Sequence, residues 1–221
     1  MTEPTEEGDA IPMGGMMPVP APARPRIRRE LARKAIHVSS AVLPLLVWVA
    51  PRWLALAVLL PAAAVAIAVD SARLRWRAPR YWFLRYTRRM LRHHERRRFA
   101  GATYMAVAYA LAVLLFPRPI AVMAMLFNGF GDAAAALAGK RWGRRRTRWG
   151  KSWEGFAAGL AVNIGVAGLV TWLDAGVPLA AAAAGAAAAA TLEFLDLPVD
   201  DNVRVTLGGG GVAYLAARLL G

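Results

Sequence analysis

The chain consists of apolar segments long enough to approach the thickness of a lipid bilayer, separated by connections that carry most of its charge. A helix needs about 20 apolar residues to cross the hydrocarbon core. Seven segments come close to this length: residues 31–50, 53–70, 101–116, 119–139, 153–173, 177–195 and 202–220. Because lipid offers no hydrogen bonds to the backbone, the pattern predicts an all-α fold, a polytopic transmembrane helical bundle of about seven spans.

The composition excludes several other classes of protein. Hydrophobic residues make up 57% of the chain, more than a single soluble domain of 221 residues needs for its core. No cysteine is present, which excludes disulfides and thiolate metal sites. The net charge of +14 lies beside apolar segments, so we expect anionic membrane lipids as partners and no nucleic acid. The oligomeric state cannot be read from the sequence.

The basic residues occupy alternate connections. Six lie before or at the very start of the first segment, eleven lie between the second and third, and seven lie between the fourth and fifth. The opposite side carries Arg52, Arg118 and, near the end, Arg218. The positive-inside rule then places the N-terminus in the cytosol and the C-terminus outside. We expect an integral membrane protein of this orientation, in the inner membrane of a bacterial cell.

Two regions lie outside the pattern of spans. Residues 1–25 combine acidic residues with runs of Met, Gly and Pro and predict a disordered cytosolic tail before a membrane-embedded domain over 26–221. Residues 71–100 are too basic to span. A helix from about Trp82 would separate its aromatic residues from its arginines, which predicts a basic amphipathic helix in the cytosolic interface, with a solvated loop as the alternative.

The fourth segment contains a carboxylate where a bilayer span tolerates one poorly. Insertion of an ionised aspartate such as Asp132 near the centre of a membrane helix costs about 2.5–3.5 kcal/mol of free energy. We therefore expect its carboxylate to line a pocket or to bind a partner or an ion. Asn128 shares its helix face, and Gly139 offers a small surface for close approach. An aspartate of this kind can bind Mg²⁺ or another divalent cation; the alternative is an ion pair with an arginine that locks two helices.

Residues 150–155 resemble a phosphate-binding loop in composition only. A P-loop needs glycine five residues before Gly150, where Arg145 lies, and a preceding strand that the chain lacks, so we reject that interpretation. Ser152 can instead cap the fifth helix, whose N-terminus attracts phosphate, with Lys151 adding positive charge. Gly155 permits close backbone approach.

Two further polar groups lie at cytosolic helix ends. A stripe at the start of the first segment can present cations to phosphate, although snorkelling side chains would explain it equally well; its members are Glu30, Arg33, Lys34 and His37. Glu193 and the acidic run that ends in Asp201 and Asn202 would repel each other unless a cation or the basic loops neutralised them. Capping of the seventh helix is the alternative for Asp201 and Asn202.

Five short motifs in order resemble the CTP-dependent lipid kinases, which include dolichol and polyprenol kinases, phytol kinases and CTP-using diacylglycerol kinases. The motifs are Glu30-Leu-Ala-Arg-Lys-Ala-Ile-His37, Gly101-Ala-Thr-Tyr104, Gly131-Asp-Ala-Ala-Ala-Ala-Leu-Ala-Gly139, Lys151-Ser-Trp-Glu-Gly155, and Glu193 with Asp200-Asp-Asn202. The resemblance runs from about residue 30 to 215 and leaves only the tail uncovered.

This resemblance implies a membrane enzyme that transfers the terminal phosphate of CTP to a lipid alcohol with Mg²⁺ or another divalent cation. It implies that residues 26–221 form the catalytic domain. It places Asp132, Lys151 and Glu154 in catalysis, with Asp132 as metal ligand or base, Lys151 stabilising phosphate and Glu154 as a second metal ligand. Its nucleotide and substrate site would comprise Glu30, Arg33, Lys34, His37, Asn128, Gly131, Gly139, Ser152, Gly155, Glu193, Asp201 and Asn202.

Two other functions compete with this one. A phosphatidate cytidylyltransferase uses CTP differently, but the Lys-Asp and His-Gly-Gly signature of those enzymes does not occur between Glu193 and Gly211. A small transporter or scaffold would place its charges near the bilayer midplane between repeats. Here the charges gather toward one face and no repeats are evident, so the kinase is favoured.

Overall fold

The computed structural model describes residues 42–87, 95, 97–174 and 176–220. The predicted tail over 1–25 lies outside these described residues, as do the predicted site residues Glu30, Arg33, Lys34 and His37. The elements formed by the described residues are helices. The all-α prediction is therefore confirmed for this part of the chain.

Eight helices are formed by the described residues. They are α1 (Val42–Val49), α2 (Arg52–Arg75), α3 (Arg77–Thr87), α4 (Gly101–Leu115), α5 (Arg118–Arg141), α6 (Trp153–Leu173), α7 (Leu179–Phe194) and α8 (201–220). A π-helical turn interrupts α5 at Phe127–Gly131 and α8 at Arg204–Gly208. Pro51, Pro117 and Pro178 directly precede α2, α5 and α7. Proline has no backbone N–H, and at this position a helix does not need one for its hydrogen bonds.

Among these eight helices of the described residues, length and hydropathy qualify α2, α5 and α6 as membrane spans. Helices α4 and α7 are apolar but contain 15 and 16 residues. They rise about 22–24 Å against a hydrocarbon core of about 30 Å. The membrane character of the chain is therefore supported, while the count of seven spans stays a prediction.

The basic segment after α2 begins its helix earlier than predicted. Helix α3 starts at Arg77 rather than near Trp82. It follows directly after Trp76, whose extended backbone ends α2. The side chains of Tyr81, Trp82 and Tyr86 are exposed on α3. Its location in the membrane interface stays a prediction.

Helices α5 and α6 lie antiparallel with their backbones in direct contact. A Cβ added to Gly155 would lie 2.6 Å from the carbonyl oxygen of Ala135 and 3.2 Å from Cα of Gly139. A Cβ added to Gly159 would lie 3.2 Å from the carbonyl oxygen of Gly131. Small residues four positions apart on both helices allow this approach, as in many helix pairs within membranes.

A buried arginine ties α2 to the segment that leads into α4. Arg73 is 2% exposed and forms an ion pair through Nε with Asp70, one turn earlier on α2. Its two terminal nitrogens donate to the carbonyl oxygens of Glu95 at 3.0 Å and Arg98 at 2.7 Å. The guanidinium also lies 4.6 Å from the ring centroid of Phe83 on α3. One side chain therefore fixes three segments relative to each other.

The partner carboxylate completes this connection. Asp70 Oδ2 accepts hydrogen bonds from the backbone nitrogen of Ala100 at 2.7 Å and from the hydroxyl of Thr103 at 2.6 Å, at the start of α4. The predicted second span ends near residue 70, and Arg73 is one of the eleven basic residues counted in the connection after it. The helix itself continues to Arg75 and buries the pair.

Arginines at the opposite end of the bundle cap the ends of helices. Arg52 donates to the carbonyl oxygen of Leu114 at 2.6 Å, at the end of α4. Arg118 donates to the carbonyl oxygens of Trp48 at 3.4 Å and Ala50 at 3.3 Å, at the end of α1. Two of the few basic residues predicted for this end therefore satisfy backbone carbonyls.

We expect Gly155→Ala to lower the thermal unfolding midpoint of the purified protein in detergent. The new methyl would press on the backbone of α5, and overpacking of this kind costs about 1–3 kcal/mol. Gly165→Ala, on the same helix, is the matched control because a Cβ there meets nothing within 4 Å. It should keep or raise the midpoint, since alanine favours the helix. Equal midpoints for the two variants would contradict the close contact of α5 and α6.

We expect Arg73→Met to destabilise the protein strongly, because it leaves the carboxylate of Asp70 buried without its cation. Breaking one partner of a buried pair costs about 3–5 kcal/mol. Tryptophan fluorescence during titration with a denaturing detergent measures the effect. Arg75→Met is the control, because Arg75 is exposed on the same turn of α2 and its replacement should change little. A similar unfolding curve for both variants would show that the pair contributes nothing.

Candidate active site

A polar cavity lies between α5, α6, α7 and α8, at the end of the bundle where the loop over 142–152 connects α5 to α6. Its volume is about 240 Å³. The polar side chains that line it are Asp132, Lys140, Arg146, Lys151, Ser152, Asn163, Glu193 and Asp201. Three cations and three carboxylates therefore face one space.

Most of the described residues that the sequence predicted for a site meet in this cavity. Those that line it are Gly131, Asp132, Gly139, Lys151, Ser152, Gly155, Glu193 and Asp201. Asn128, Glu154 and Asn202 do not line it. The structure thus brings together residues that are up to 70 positions apart in the chain, while their roles in binding and catalysis stay predictions.

Lys151 and Glu193 form an ion pair across the cavity, between the loop and α7. The lysine side chain is 37% exposed and the glutamate side chain 10% exposed. Glu193 Oε2 is buried and has no hydrogen-bond donor among the described residues. Asp132 lies near enough to repel Glu193 electrostatically. A buried acceptor in this state needs a water, a cation or a ligand to complete it.

Ser152 caps the N-terminus of α6, as predicted. Its Oγ accepts a hydrogen bond from the backbone nitrogen of Gly155 at 3.1 Å, which satisfies one of the free donors at the helix N-terminus. Gly150, just before, has a φ of +89°, a conformation that favours glycine. The backbone nitrogen of Thr147 donates to the carbonyl oxygen of Lys151 at 2.8 Å. The tight loop therefore holds Lys151 at the cavity.

Arg146 joins the loop to the end of α5. Its NH2 donates to the carbonyl oxygen of Gly139 at 2.8 Å, and its NH1 donates to that of Gly150 at 3.0 Å. The sequence analysis counted Arg146 only as one of seven basic residues in this connection. Nothing in the sequence distinguishes it from Arg144 or Arg145, because its role depends on how the loop folds back.

Asn128 and Asn202 lie beside the cavity and bind each other. Asn128 Nδ2 donates to Asn202 Oδ1 at 3.1 Å. Asn202 Nδ2 lies 2.9 Å from Asp200 Oδ1 and 3.3 Å from the carbonyl oxygen of Gly101, and it donates to both. The pair therefore connects α5, α8 and the start of α4; Asn128 lies within the π-helical turn of α5, and Asn202 lies just before that of α8. Such turns occur frequently at functional sites.

Glu154, predicted as a catalytic and metal-binding residue, contacts the basic loop. Its Oε1 accepts a hydrogen bond from the backbone nitrogen of Arg145 at 3.2 Å. The residues of α6 that line the cavity follow a stripe at positions 152, 155, 156, 159 and 163. Position 154 lies off this stripe, because successive helical residues are about 100° apart. The observed contact of Glu154 is thus with the loop that covers the cavity.

Aromatic rings form one wall of the cavity. Phe156 and Phe194 line it, with ring centroids 5.1 Å apart. The ring of Trp153 packs against that of Phe194 with centroids 4.6 Å apart, and Trp149 Nε1 donates to the carbonyl oxygen of Phe194 at 2.9 Å. The end of α7 is therefore fixed against the loop and α6, which positions the neighbouring Glu193.

Asn163 is a lining residue that the sequence analysis missed. It lies halfway along α6 and is 2% exposed. The available signal was a single amide within the otherwise apolar stretch 155–173. A polar side chain in the middle of a membrane helix is costly, so, as for Asp132, we expect it to bind a ligand or a partner.

We expect Arg146→Gln to loosen the loop over 142–152, because glutamine is too short to reach both carbonyl oxygens. Cleavage by trypsin within the loop, followed by mass spectrometry, should become about three to ten times faster as the open form becomes more populated. Arg148→Gln is the matched control, because it also removes one trypsin site from the loop. The guanidinium of Arg148 lies over the ring of Trp149 and not at the carbonyl oxygens that Arg146 binds. If both variants are cut equally fast, the two hydrogen bonds of Arg146 do not hold the loop.

The fold and the cavity together define an all-helical membrane protein with a charged site at one end of its bundle. The chain is 29% identical over 200 residues to a phytol kinase from Synechocystis sp., and the similarity covers 86% of this chain and 81% of that protein. This comparison confirms the resemblance to the CTP-dependent lipid kinase family indicated by the five motifs. It supports a lipid kinase at the level of the family.

No family model matches the chain, and no solved structure matches it.

Proposed function

We propose that this protein is a CTP-dependent kinase that transfers the terminal phosphate of CTP to the hydroxyl of a lipid alcohol at the cytosolic face of the membrane. Polyprenols, phytol-like alcohols and diacylglycerol are the candidate acceptors. The observation that carries the proposal is the single cavity in which Lys140, Arg146 and Lys151 face Asp132 and Glu193. The similarity to a phytol kinase supports a lipid alcohol as the acceptor.

The cations fit the chemistry of phosphate transfer. This reaction depends mainly on alignment of the reactants and on neutralisation of charge on the phosphate oxygens. Lys140, Arg146 and Lys151 lie at the loop end of the cavity, which residues 140–152 form. We infer that the triphosphate enters from this end. Lys151, which is partly exposed, then exchanges its contact with Glu193 for one with phosphate.

In the proposed reaction the hydroxyl oxygen of the alcohol bonds to the terminal phosphorus of CTP. The bond between that phosphorus and the bridging oxygen breaks, and its electron pair leaves with CDP. The hydroxyl proton passes to a carboxylate, for which we propose Asp132, because it lines the same cavity as the three cations. The products are CDP, the phosphorylated lipid and one proton.

The carboxylates fit a divalent cation that is shared with the substrate. No group of three or more His, Cys, Asp or Glu side chains within the described ranges is arranged to hold a metal by itself. Mg²⁺, however, is commonly held by one or two carboxylates together with phosphates and water. Glu193, whose Oε2 is buried without a partner in the described structure, and Asp201 supply such oxygens. When bound, the cation would neutralise charge on the transferred phosphate.

We further propose that α3 contacts anionic lipid head groups. It carries Arg77, Arg80 and Arg85 together with the exposed rings of Tyr81 and Trp82. Arginines with aromatic rings are typical of helices that lie in a membrane interface. Activity in vesicles should then rise when phosphatidylglycerol is included.

The purified protein, incubated with γ-labelled CTP, Mg²⁺ and a panel of lipid alcohols, should transfer label to lipid. In a parallel reaction with phosphatidate as the acceptor, release of pyrophosphate with formation of a CDP-lipid would instead identify a cytidylyltransferase. Formation of neither product would overturn the kinase proposal in favour of a membrane protein without catalysis.

We expect Asp132→Asn to lower kcat at least about 100-fold, because asparagine cannot accept the proton. Expression and thermal stability should change little, since the side chain keeps its size. Asp174→Asn is the control, because Asp174 lies at the far end of α6, where its Oδ1 accepts from the backbone nitrogen of Gly176 at 2.9 Å. Normal turnover by Asp132→Asn would remove Asp132 from the reaction.

A further inference from the structure

The polar cavity changes character along its length. Its loop end lies where Gly139 meets Ser152, and its deep end lies where Gly131 meets Asn163. Gly131 and Gly139 are eight residues apart on α5, which corresponds to about 12 Å. The charged residues Lys140, Arg146 and Lys151 belong to the loop end. The deep end is lined instead by Phe127, Gly131, Gly159, Ala189 and Val205, together with Asn163.

The side-chain amide of Asn163 lacks a hydrogen-bond partner for its oxygen in the described residues. Its side chain is buried, with an exposure of 2%, and Oδ1 has no hydrogen-bond donor in the described part of the chain. Asn128, which is equally buried, shows the contrast, because its amide is bound to Asn202 and joins two helices. A buried polar atom without a partner costs about 1–3 kcal/mol, so a ligand that supplies a donor would recover this cost.

The backbone around Asn163 leaves room for its side chain. A Cβ added to Gly131 would lie 2.2 Å from Asn163 Oδ1, so any residue larger than glycine would collide with the amide. Gly131 directly precedes Asp132, which also lines the cavity. The glycine that contacts Asn163 Oδ1 is therefore the chain neighbour of Asp132, the residue to which we assign the proton.

We propose that the deep end of the cavity is the subsite for the acceptor alcohol, with Asn163 Oδ1 accepting a hydrogen bond from its hydroxyl. The apolar part of the lipid lies among the surrounding Phe, Val, Ala and Gly residues. Before the reaction, the hydroxyl hydrogen lies at Asn163 Oδ1 and the oxygen lone pairs are directed toward the loop end and the phosphate. As the oxygen bonds to phosphorus, the hydroxyl turns and this hydrogen passes to the carboxylate of Asp132. This inference rests on the proposed kinase function and names the residue that orients the acceptor.

The subsite also explains selection of the alcohol. An acceptor oxygen binds a hydroxyl but repels the oxygens of a phosphate, so the unreacted lipid is held and the phosphorylated product is not. A lipid methyl ether has no hydrogen to donate, so it leaves Oδ1 unsatisfied. Discrimination of this kind is characteristic of sites that hydrogen-bond a substrate hydroxyl.

Competition binding tests the subsite without any need for turnover. Tritiated phytol is bound to the wild-type protein in nanodiscs and displaced with unlabelled phytol or with its methyl ether. Phytol should compete about tenfold better than the ether, as expected for one hydrogen bond to a buried acceptor. In Asn163→Leu the two competitors should be equal. Asn163→Ala provides a second variant in case leucine prevents folding, and it should behave in the same way.

Ile164→Ala is the control variant, because Ile164 is the next residue of α6 and is 43% exposed on the outside of the bundle. It should keep the preference for phytol. In the kinase assay, Asn163→Ala should raise KM for the alcohol about tenfold and leave KM for CTP unchanged, a split that a general structural defect would not produce.

Several outcomes overturn the inference. The first is that the Asn163 variants still bind phytol better than the ether. The second is that the wild-type protein binds neither lipid. The third is that Asn163→Ala changes KM for CTP but not KM for the alcohol. The kinase proposal can fail independently. If no nucleotide donates phosphate but the preference for phytol still depends on Asn163, the subsite stands as a binding site for lipid alcohols.

Discussion

The contact between the backbones of α5 and α6 is the constraint on which the site depends. Gly155 packs on the backbone of α5 near Ala135 and Gly139, which brings the N-terminus of α6 to the end of α5. The connecting loop must then fold back tightly, and Arg146 secures it at both ends. Since bilayer lipids offer little hydrophobic driving force between helices, close packing of small residues is the main source of such contacts.

Polar groups inside this bundle fall into two kinds. Asp70 and Arg73 bind each other and the segment before α4, and the amide of Asn202 binds Asn128 and the carbonyl oxygen of Gly101. These groups stabilise the arrangement of helices around the cavity. Inside the cavity, in contrast, Glu193 Oε2 and Asn163 Oδ1 are buried without partners among the described residues. Five buried side-chain atoms lack partners within the described ranges, and these two are the ones that line the cavity. Because burial of an unsatisfied polar atom is costly, they mark where a ligand is expected.

The sequence predicted the helices and the gathering of carboxylates and cations at one end, because both follow from hydropathy and from the position of each residue along its helix. It could not identify Arg73 or Arg146, since their many arginine neighbours have the same side chain and differ only in tertiary contacts. Glu154 shows a different limit. Its place in a motif suggested a site residue, but the direction of its side chain depends on how α6 is rotated about its axis, and that rotation is set by the glycines that contact α5.

The arrangement of charge in the cavity fits the two substrates that we propose, which differ in polarity. A nucleotide requires cations and water, whereas a lipid alcohol requires an apolar channel with one polar contact for its hydroxyl. Lys151 and Arg146 lie at the loop end and Asn163 at the deep end, with Asp132 among the lining residues of α5. The ion pair of Lys151 with Glu193 offsets the repulsion between Glu193 and Asp132 while phosphate is absent. In the proposed reaction, phosphate would draw Lys151 away, and the proposed divalent cation would then offset the repulsion between the carboxylates.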